Sequence, residues 1–398
     1  MTTSLLTISD QERARLATQD AQASVRILHV INGEHYAGAE RVQDLLALNL
    51  PRFDFDVEFA AVKSVAFDES RRSTSPLHHV SMPSRFDLRA AWRLAALVQR
   101  RSCALIHSHT PRTALVGGLA SKITGVPMVH HIHGQTSSEV SRHLFGKFSA
   151  AVESWSIRHA ARTIAVSASS YQYALRQGFD PDHLSLVPNG VPADPSAASR
   201  TAPVADWTIG SIALFRPRKG VETLMEAIAR LRNHQLPVTL RLIGGFETAA
   251  YESHLRQLAD RLQLSSAVTW VGFSSDVQAE LAKVDVMVLP SLLPEGLPMA
   301  VIEAMAGGVP VVASRVDGIV DVIDGEQDGL LFEPGNSDSL ANELARLISG
   351  EVDYASLRDN AIRRHAESYS DHGMAASVAR IYRDVLASTA NTQRFVDQ

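Results

Sequence analysis

Short apolar runs and amphipathic stretches alternate along most of the chain. Apolar runs rich in valine, isoleucine and leucine predict strands that are buried on both faces of a parallel sheet. The predicted strands are 25–31, 104–108, 127–132, 162–166, 184–187, 207–214, 238–243, 267–271, 284–289 and 309–313. The predicted helices are one that begins near Ala39, followed by 88–101, 113–123, 221–232, 298–306 and 374–388. Strands that alternate with helices in this way predict α/β sheets with helical crossovers.

The pattern divides into two halves of similar size. A stretch rich in proline, alanine and serine, 193–206, has no periodicity and is the predicted linker. It separates an N-terminal domain, 25–192, from a C-terminal domain, 207–369, and the last helix, extended to 374–390, is expected to pack back on the first half. Residues 1–24 are polar and alanine-rich, which predicts an N-terminal extension. The predicted fold class is therefore α/β with two Rossmann-like parallel-sheet domains.

Composition narrows the function classes. The chain has 398 residues, 45% of them apolar, with a net charge of −5, so no global basic field favours nucleic acid as a partner. A single cysteine, Cys103, excludes an internal disulfide. With no signal-peptide pattern and no long apolar run, we expect a cytoplasmic protein. The arginine-rich helix 88–101 leaves open a peripheral contact with an anionic membrane, against the plainer interpretation of a surface helix.

Two glutamates stand out in the segment 291–314. Glu295 lies in the loop after a predicted strand, and Glu303 lies eight positions later in a helix that Pro298 can begin. The free backbone N–H groups at this helix N-terminus favour an anion, above all phosphate. A nucleotide sugar, with hydroxyls at both ends and a diphosphate between them, fits this arrangement. The alternative is one capping and one surface glutamate without chemistry.

A basic turn follows the first strand of the second half. Arg216, Arg218 and Lys219 lie where open α/β sheets place their ligands, at the carboxyl end of a strand. Such a cluster in a cleft requires an anion, and a diphosphate is the natural partner. The alternative is a solvated basic turn.

Histidines crowd the ends of two strands of the first half. By alternation along a strand, His107 and His109 share one face, as do His131 and His133. A zinc site is conceivable, but no carboxylate stands at ligand spacing, so we expect no metal. One or two of these histidines should line a polar cleft, and His133, which precedes a glycine at a strand end, is the best placed.

Taken together, these motifs resemble the family 4 (group 1) retaining glycosyltransferases of GT-B type. The matching segments span residues 37–336 in the expected order. They are AGAERV, IHSHTPRTALVGGLA, MVHHIHG, TIAVS, LVPNGV, RPRKGVETLMEAI, LRLIGG, VTWVGF, PEGLPMAVIEAMAGGVPVVAS and DGLLFEPGN.

The resemblance implies roles for individual residues. As catalytic residues it implies Glu295 at the donor sugar's hydroxyls, His133 at the transferred sugar, and Arg216 and Lys219 at the diphosphate. As donor-binding residues it implies Gly38, Arg218, Gly272, Phe273, Gly296, Leu297 and Glu303, the last at the ribose. The chain departs from the family pattern at Ala37, in the spacing of its arginines before Lys219, and at 317–321.

The implied activity is retaining transfer of a hexose from a nucleotide sugar, most often a UDP-sugar and otherwise a GDP-sugar, without a cofactor. The acceptor is a glycan, a lipid-linked glycan or a small molecule, in cell-surface polysaccharide or glycoconjugate synthesis, and would be shaped by 34–36, 64–85 and 136–147. Alternatives are a nucleotide-sugar epimerase or hydrolase on the same scaffold, and a non-catalytic subunit that binds sugar nucleotides.

Overall fold

The structure, a computed structural model, describes residues 24–34, 36–63, 66–84, 87–134 and 157–396. Residues 1–23 of the predicted extension and the segment 136–147 that was expected to shape the acceptor site lie outside the described residues.

The first half is a seven-stranded parallel sheet with the strand order β3-β2-β1-β4-β5-β6-β7. Its strands are β1 (Val25–Ile31), β2 (Phe55–Ala61), β3 (Leu77–His79), β4 (Leu105–Ser108), β5 (Met128–Ile132), β6 (Arg162–Ala165) and β7 (Leu184–Leu186). Its helices are α1 (Gly38–Asn49), α2 (Ala66–Ser70), α3 (Arg89–Arg101), α4 (Pro111–Thr124) and α5 (Ala168–Arg176).

The second half is a six-stranded parallel sheet with the order β10-β9-β8-β11-β12-β13. Its strands are β8 (Trp207–Ile212), β9 (Val238–Ile243), β10 (Val268–Gly272), β11 (Val286–Leu289), β12 (Val311–Ser314) and β13 (Leu330–Phe332). Its helices are α6 (Val221–Asn233), α7 (Ala249–Arg261), α8 (Val277–Leu281), α9 (Met299–Ala306), α10 (Ser337–Ile348) and α11 (Tyr354–Ser368), and α12 (Asp371–Val396) ends the chain.

Both sheets reverse their strand order next to their first strand, at β1/β4 and at β8/β11. Ligands of open α/β sheets bind at such switch points, outside the carboxyl ends of the strands. The predicted fold class, two Rossmann-like parallel sheets, is confirmed, and its geometry directs attention to the space between the two sets of strand ends.

The C-terminal helix α12 packs back on the first half, as expected. Tyr382 is fully buried there, with its ring edge-on to Phe55 and its hydroxyl in contact with histidines of β1 and β4. The helix begins at Asp371 and not at 374, because Ser370 and the residues after it already accept and donate helical bonds, as from Met374 N–H to the Ser370 carbonyl. The predicted break at 369–373 is therefore only two residues long.

The chain passes between the halves twice, and the two passages lie side by side. Val191 donates to the Tyr369 carbonyl at 2.9 Å and accepts from Asp371 at 3.2 Å. A Cβ atom at Gly190 would lie 2.2 Å from the Ser370 carbonyl oxygen, so only glycine allows this approach. Backbone hydrogen bonds and close packing therefore hold the two passages together.

Candidate functional site

A cleft of about 660 Å³ lies between the carboxyl ends of the two sheets. The first half contributes the β1–α1 loop and the end of β5, and the second half contributes the ends of β8, β9 and β11 with the loop before α9. Every predicted site residue except Gly272 lines this cleft: His133, Glu295, Lys219, Arg216, Gly38, Arg218, Phe273, Gly296, Leu297 and Glu303.

Glu295 is at the centre of a polar cluster on the floor of the cleft. Its Oε1 accepts from Lys219 Nζ and from Ser291 Oγ, both at 2.6 Å, and its Oε2 lies 3.5 Å from Arg218 Nη2. Burial raises the pKa of this carboxyl, but the charge and hydrogen bond of Lys219, followed by Ser291 and Arg218, outweigh burial and lower it below 4.5. Glu295 is therefore an ionised carboxylate at neutral pH.

The loop that carries Glu295 packs against the turn that follows β12. The Glu295 N–H donates to the Asp317 carbonyl at 2.9 Å. Gly318 has φ +82°, and a Cβ atom there would lie 2.3 Å from the Glu295 carbonyl oxygen. The segment that departs from the family pattern therefore still provides the glycine on which the Glu295 loop rests.

The basic turn is held against the end of β11. Pro217–Lys219 forms a short 3₁₀ turn, and Gly220, at φ +63°, lies so close to Pro290 that a Cβ atom would be 2.1 Å from its carbonyl oxygen. Arg216 pairs with Glu247, Nη1 to Oε1, at 3.6 Å. The turn thus directs Arg216, Arg218 and Lys219 into one cleft, as an anion site requires.

The two halves touch at the cleft through glycines. A Cβ atom at Gly38 would lie 3.2 Å from Met299 Cγ, so the N-terminus of α1 faces that of α9. Gly296 lies against the backbone of His133, and a Cβ atom there would be 1.8 Å from the His133 carbonyl oxygen. Two helix N-termini, with their free N–H groups, therefore point into the same space.

Glu303 lies at the other end of the cleft, next to Arg41, a partner that sequence analysis missed. Arg41 Nε and Glu303 Oε1 are 2.5 Å apart, although neither atom makes a well-directed hydrogen bond with a described residue. Burial raises the pKa of Glu303, and the charges of Arg41 and Arg72 oppose that shift. Arg41 belongs to AGAERV, one of the segments that match the family. Its pairing with Glu303 depends on the packing of α1 on α9, which the sequence alone does not show.

Gly272 ends β10 with φ +78° and accepts from the Gly244 N–H at 2.8 Å. The next residue, Phe273, is 59% exposed and lines the cleft. An exposed aromatic ring at a cleft edge provides a surface on which a planar base can stack.

Five histidines lie at or behind the cleft, and of these His133 lines it. His29 of β1, also missed from sequence, is the register partner of His107 on β4. His109 contacts both His29, Nε2 to Nδ1 at 3.2 Å, and His133, Nδ1 to Nε2 at 3.0 Å. The Tyr382 hydroxyl lies 3.0 Å from His29 Nε2 and 2.6 Å from His107 Nδ1. A polar chain thus runs from the C-terminal helix to the cleft.

Burial lowers the pKa of His133 and of His29 to about 3. The pKa values of His107, His109 and His131 are lowered further, first by burial and then by their neighbouring imidazoles. His133 therefore enters the cleft as a neutral ring that can donate or accept a hydrogen bond, according to its tautomer.

Comparison with known proteins follows the same division into halves. Residues 36–195 match the family described as Glycosyltransferase Family 4, and residues 195–364 match Glycosyl transferases group 1. The chain is 24% identical over 354 residues to the UDP-Gal:alpha-D-GlcNAc-diphosphoundecaprenol alpha-1,3-galactosyltransferase of Escherichia coli, covering 84% of this chain and 90% of that protein. It is 26% identical over 297 residues to the phosphatidyl-myo-inositol mannosyltransferase of Mycobacterium leprae, covering 73% and 75%.

Among solved structures, Anabaena HepE in complex with UDP-glucose superposes with a TM-score of 0.79 at 24% identity, covering 90% of this chain and 99% of HepE. This likeness covers both halves of the chain, and it is a likeness of fold. Among the described residues, no helix combines the length and the apolar character needed to cross a membrane.

Proposed function

Because the chain belongs to the family 4 (group 1) glycosyltransferases with the GT-B fold, and is therefore a glycosyltransferase, we propose that it transfers a hexose from a UDP-sugar with retention of configuration. The epimerase, hydrolase and non-catalytic alternatives lose their main support with this membership. The donor base, the stereochemical course and the acceptor class are the parts of the proposal that go beyond the family.

One observation carries the proposal: three cations and two helix N-termini converge on a cleft that also contains an ionised carboxylate. Lys219 and Arg218 already contact Glu295, so the cleft's positive charge is partly compensated within the protein. A diphosphate placed between the basic turn and the N-terminus of α9 would satisfy the remaining positive charge. Glu295 would then accept from hydroxyls of the donor sugar, as an ionised carboxylate does well.

In the proposed reaction the bond between the sugar's anomeric carbon and the diphosphate oxygen breaks. The acceptor oxygen attacks the same face of the oxocarbenium-like sugar, and its proton passes to the departing diphosphate. Arg216 and Lys219 stabilise the charge that develops on the leaving group, and His133 and Glu295 hold the sugar in place. Positioning and charge stabilisation of this kind are the terms to which the largest rate effects are assigned.

UDP is favoured over GDP because HepE was solved with UDP-glucose and the Escherichia coli relative is named for UDP-Gal. At the other end of the cleft, Glu303 would accept from the ribose hydroxyls, with Arg41 beside its buried carboxyl group. Phe273 would stack against the base. A donor laid out in this way spans the cleft from His133 to Phe273.

A lipid-linked or glycan acceptor follows from the names of the relatives, one of which acts on a diphosphoundecaprenol-linked sugar and another on phosphatidyl-myo-inositol. Such an acceptor would meet the first half at a membrane surface.

Helix α3 carries Trp92, 67% exposed, on the same outer face as Arg89, Arg93 and Arg100. A tryptophan among arginines is complementary to anionic lipid headgroups, so we propose that α3 rests on the cytoplasmic face of a membrane.

Thermal unfolding in the presence of UDP-hexoses and GDP-hexoses tests the donor. A donor at a hundred times its dissociation constant stabilises the protein by about 2.7 kcal/mol. UDP-sugars should raise the melting temperature, and Phe273→Ala should reduce the shift for the whole nucleotide series. A larger shift with GDP-sugars would overturn the assignment of the base, and no shift with any nucleotide sugar would overturn the function.

A further inference from the structure

Three imidazoles lie close together at the cleft, and not all of their nitrogens have a hydrogen-bond partner among the described residues. His109, His131 and His133 each offer one nitrogen, and the three nitrogens lie within 4.8 Å of one another. His131 is 1% exposed, yet neither of its nitrogens has a hydrogen-bond partner among the described residues. Buried polar atoms are almost always paired, so an orphaned imidazole needs an explanation.

We propose that His109, His131 and His133 bind one divalent transition-metal ion of the zinc class. His109 Nδ1 and His133 Nε2 are 3.0 Å apart. Two ligand nitrogens about 2.0–2.1 Å from a tetrahedral zinc ion lie about 3.3 Å apart, so an ion replaces their mutual hydrogen bond with little movement. His131 then turns one of its nitrogens toward the ion and is no longer unpaired.

A second triad, His29, His107 and His109, is also close enough, but it fits less well. All three of its rings are fully or almost fully buried, and Tyr382 already bonds to His29 and to His107. The triad that contains His133 reaches the cleft, which gives an ion a route of entry and leaves a fourth position for water. A carboxylate is not needed, because three histidines and water make a known zinc ligand set.

A metal ion at these histidines departs from the sequence-based expectation of no metal, which rested on the lack of a carboxylate at ligand spacing. The ion has no step in transfer. His133, which the proposed function places at the transferred sugar, would bind the ion through Nε2, the nitrogen that faces His109, and would keep Nδ1 for the sugar. The remaining N–H of His109 keeps its contact with His29, Nε2 to Nδ1 at 3.2 Å, and this outer contact would orient the ligand ring.

The test is equilibrium dialysis of the chelator-treated full chain against zinc, followed by elemental analysis, with cobalt substitution read by visible absorption. We expect about one ion per chain and the intense cobalt band of a four-coordinate site. His131→Phe keeps a flat ring in the stack and removes both nitrogens. It should weaken zinc binding by at least about 100-fold, since even the loss of a residue that supports a ligand costs 10- to 100-fold.

His107→Phe is the matched control, because it removes a buried imidazole of the other triad and should leave zinc binding unchanged. Loss of the ion in His107→Phe and not in His131→Phe would move the site and overturn the assignment. Binding that survives both changes would place the ion elsewhere and would equally overturn it. If His131→Phe fails to fold, the cobalt spectrum of the wild-type chain decides alone: a weak six-coordinate spectrum contradicts the proposal.

Discussion

Gly296 lies so close to His133 that a Cβ atom on Gly296 would be 1.8 Å from the His133 carbonyl oxygen and 2.7 Å from its carbonyl carbon. The two residues come from opposite halves of the chain. The contact therefore couples the loop that carries Glu295 to the strand end that carries His133, and it sets how closely the halves approach.

Gly296→Ala should hold the two halves apart. Contacts under 3.0 Å do not occur for real Cβ atoms, so the backbone of one loop must shift by more than 1 Å. A misplacement of about 1 Å can cost about 100-fold in rate, and we expect kcat/KM to fall by that order while the melting temperature changes little. Gly307→Ala is the control, since a Cβ atom there would come no closer than 3.4 Å to another atom and Gly307 lies outside the residues that line the cleft. Wild-type kinetics in Gly296→Ala would show that this contact is not kept during catalysis.

Stability at acid pH should report the ionisation of Glu295. Its folded-state pKa lies below the ordinary 4.5, so ionisation stabilises the folded chain above the unfolded value, and this stabilisation is lost as pH falls through the folded value. The difference in unfolding free energy between wild type and Glu295→Gln should therefore be constant from pH 7 to about 5 and shrink below pH 4.5. Urea titrations at several pH values measure it. A difference that grows on acidification would contradict the lowered pKa.

Tyr382→Phe should destabilise the first half. Its hydroxyl contacts His29 at 3.0 Å and His107 at 2.6 Å inside the core, and its removal leaves buried imidazole nitrogens unpaired. An unsatisfied buried polar group costs about 1–3 kcal/mol, which denaturant unfolding can resolve. Tyr251→Phe is the control. Its hydroxyl donates to Glu222 in the second half, and because water reaches the partly exposed Glu222 carboxylate, this change should cost less. Equal stability of Tyr382→Phe and wild type would mean that these contacts contribute little.

Arg89→Glu with Arg93→Glu should release the chain from anionic membranes. Each basic residue near such a surface contributes about 1 kcal/mol, so the double change should weaken binding at least tenfold. Sedimentation with phosphatidylglycerol-containing vesicles measures it, with pure phosphatidylcholine vesicles for comparison. Arg256→Glu with Arg261→Glu, two exposed arginines of helix α7 in the second half, is the charge-matched control. Equal binding of all variants, or none by wild type, would remove α3 from the proposal.

Much of the fold follows from local patterns. The strands Val25–Ile31 and Val238–Ile243 agree to the residue with the sequence-based prediction, because apolar runs of this length bounded by turn residues mark buried parallel strands. Helix α9 begins at Met299 and not at Pro298, since Pro298 keeps an extended ψ of 109° as the residue before the helix.

Strand β2 was not predicted, because Asp56 and Glu58 interrupt its apolar run. Glu58 is nevertheless buried, and its carboxylate is paired with Arg101 at 2.7 Å and with His78 at 2.8 Å. Those partners come from helix α3 and strand β3, so the burial of this glutamate depends on tertiary contacts that the local pattern does not contain.

Only some residues of the candidate site could be predicted from the sequence. Glu295, Lys219 and His133 stand in short motifs whose neighbours fix their surroundings. Glu303 needs Arg41, and His29 needs Tyr382, which is 353 residues away along the chain. Those pairs depend on how α1 meets α9 and how α12 crosses the first sheet, and local periodicity contains no information on either.

Cleavage of the donor tests most directly whether the chain is a glycosyltransferase in which Lys219 stabilises the departing diphosphate. UDP released from UDP-glucose and UDP-galactose is measured with wild type, Lys219→Ala and Lys283→Ala, the last of which removes a surface ion pair, Lys283 to Glu280 at 2.9 Å. Removing one charge-stabilising group costs about 100- to 1,000-fold in kcat, so Lys219→Ala should lose UDP release to that extent while Lys283→Ala matches wild type. If Lys219→Ala released UDP at the wild-type rate, with the fold intact in both variants, Lys219 would not stabilise the leaving diphosphate and the proposed mechanism would be wrong.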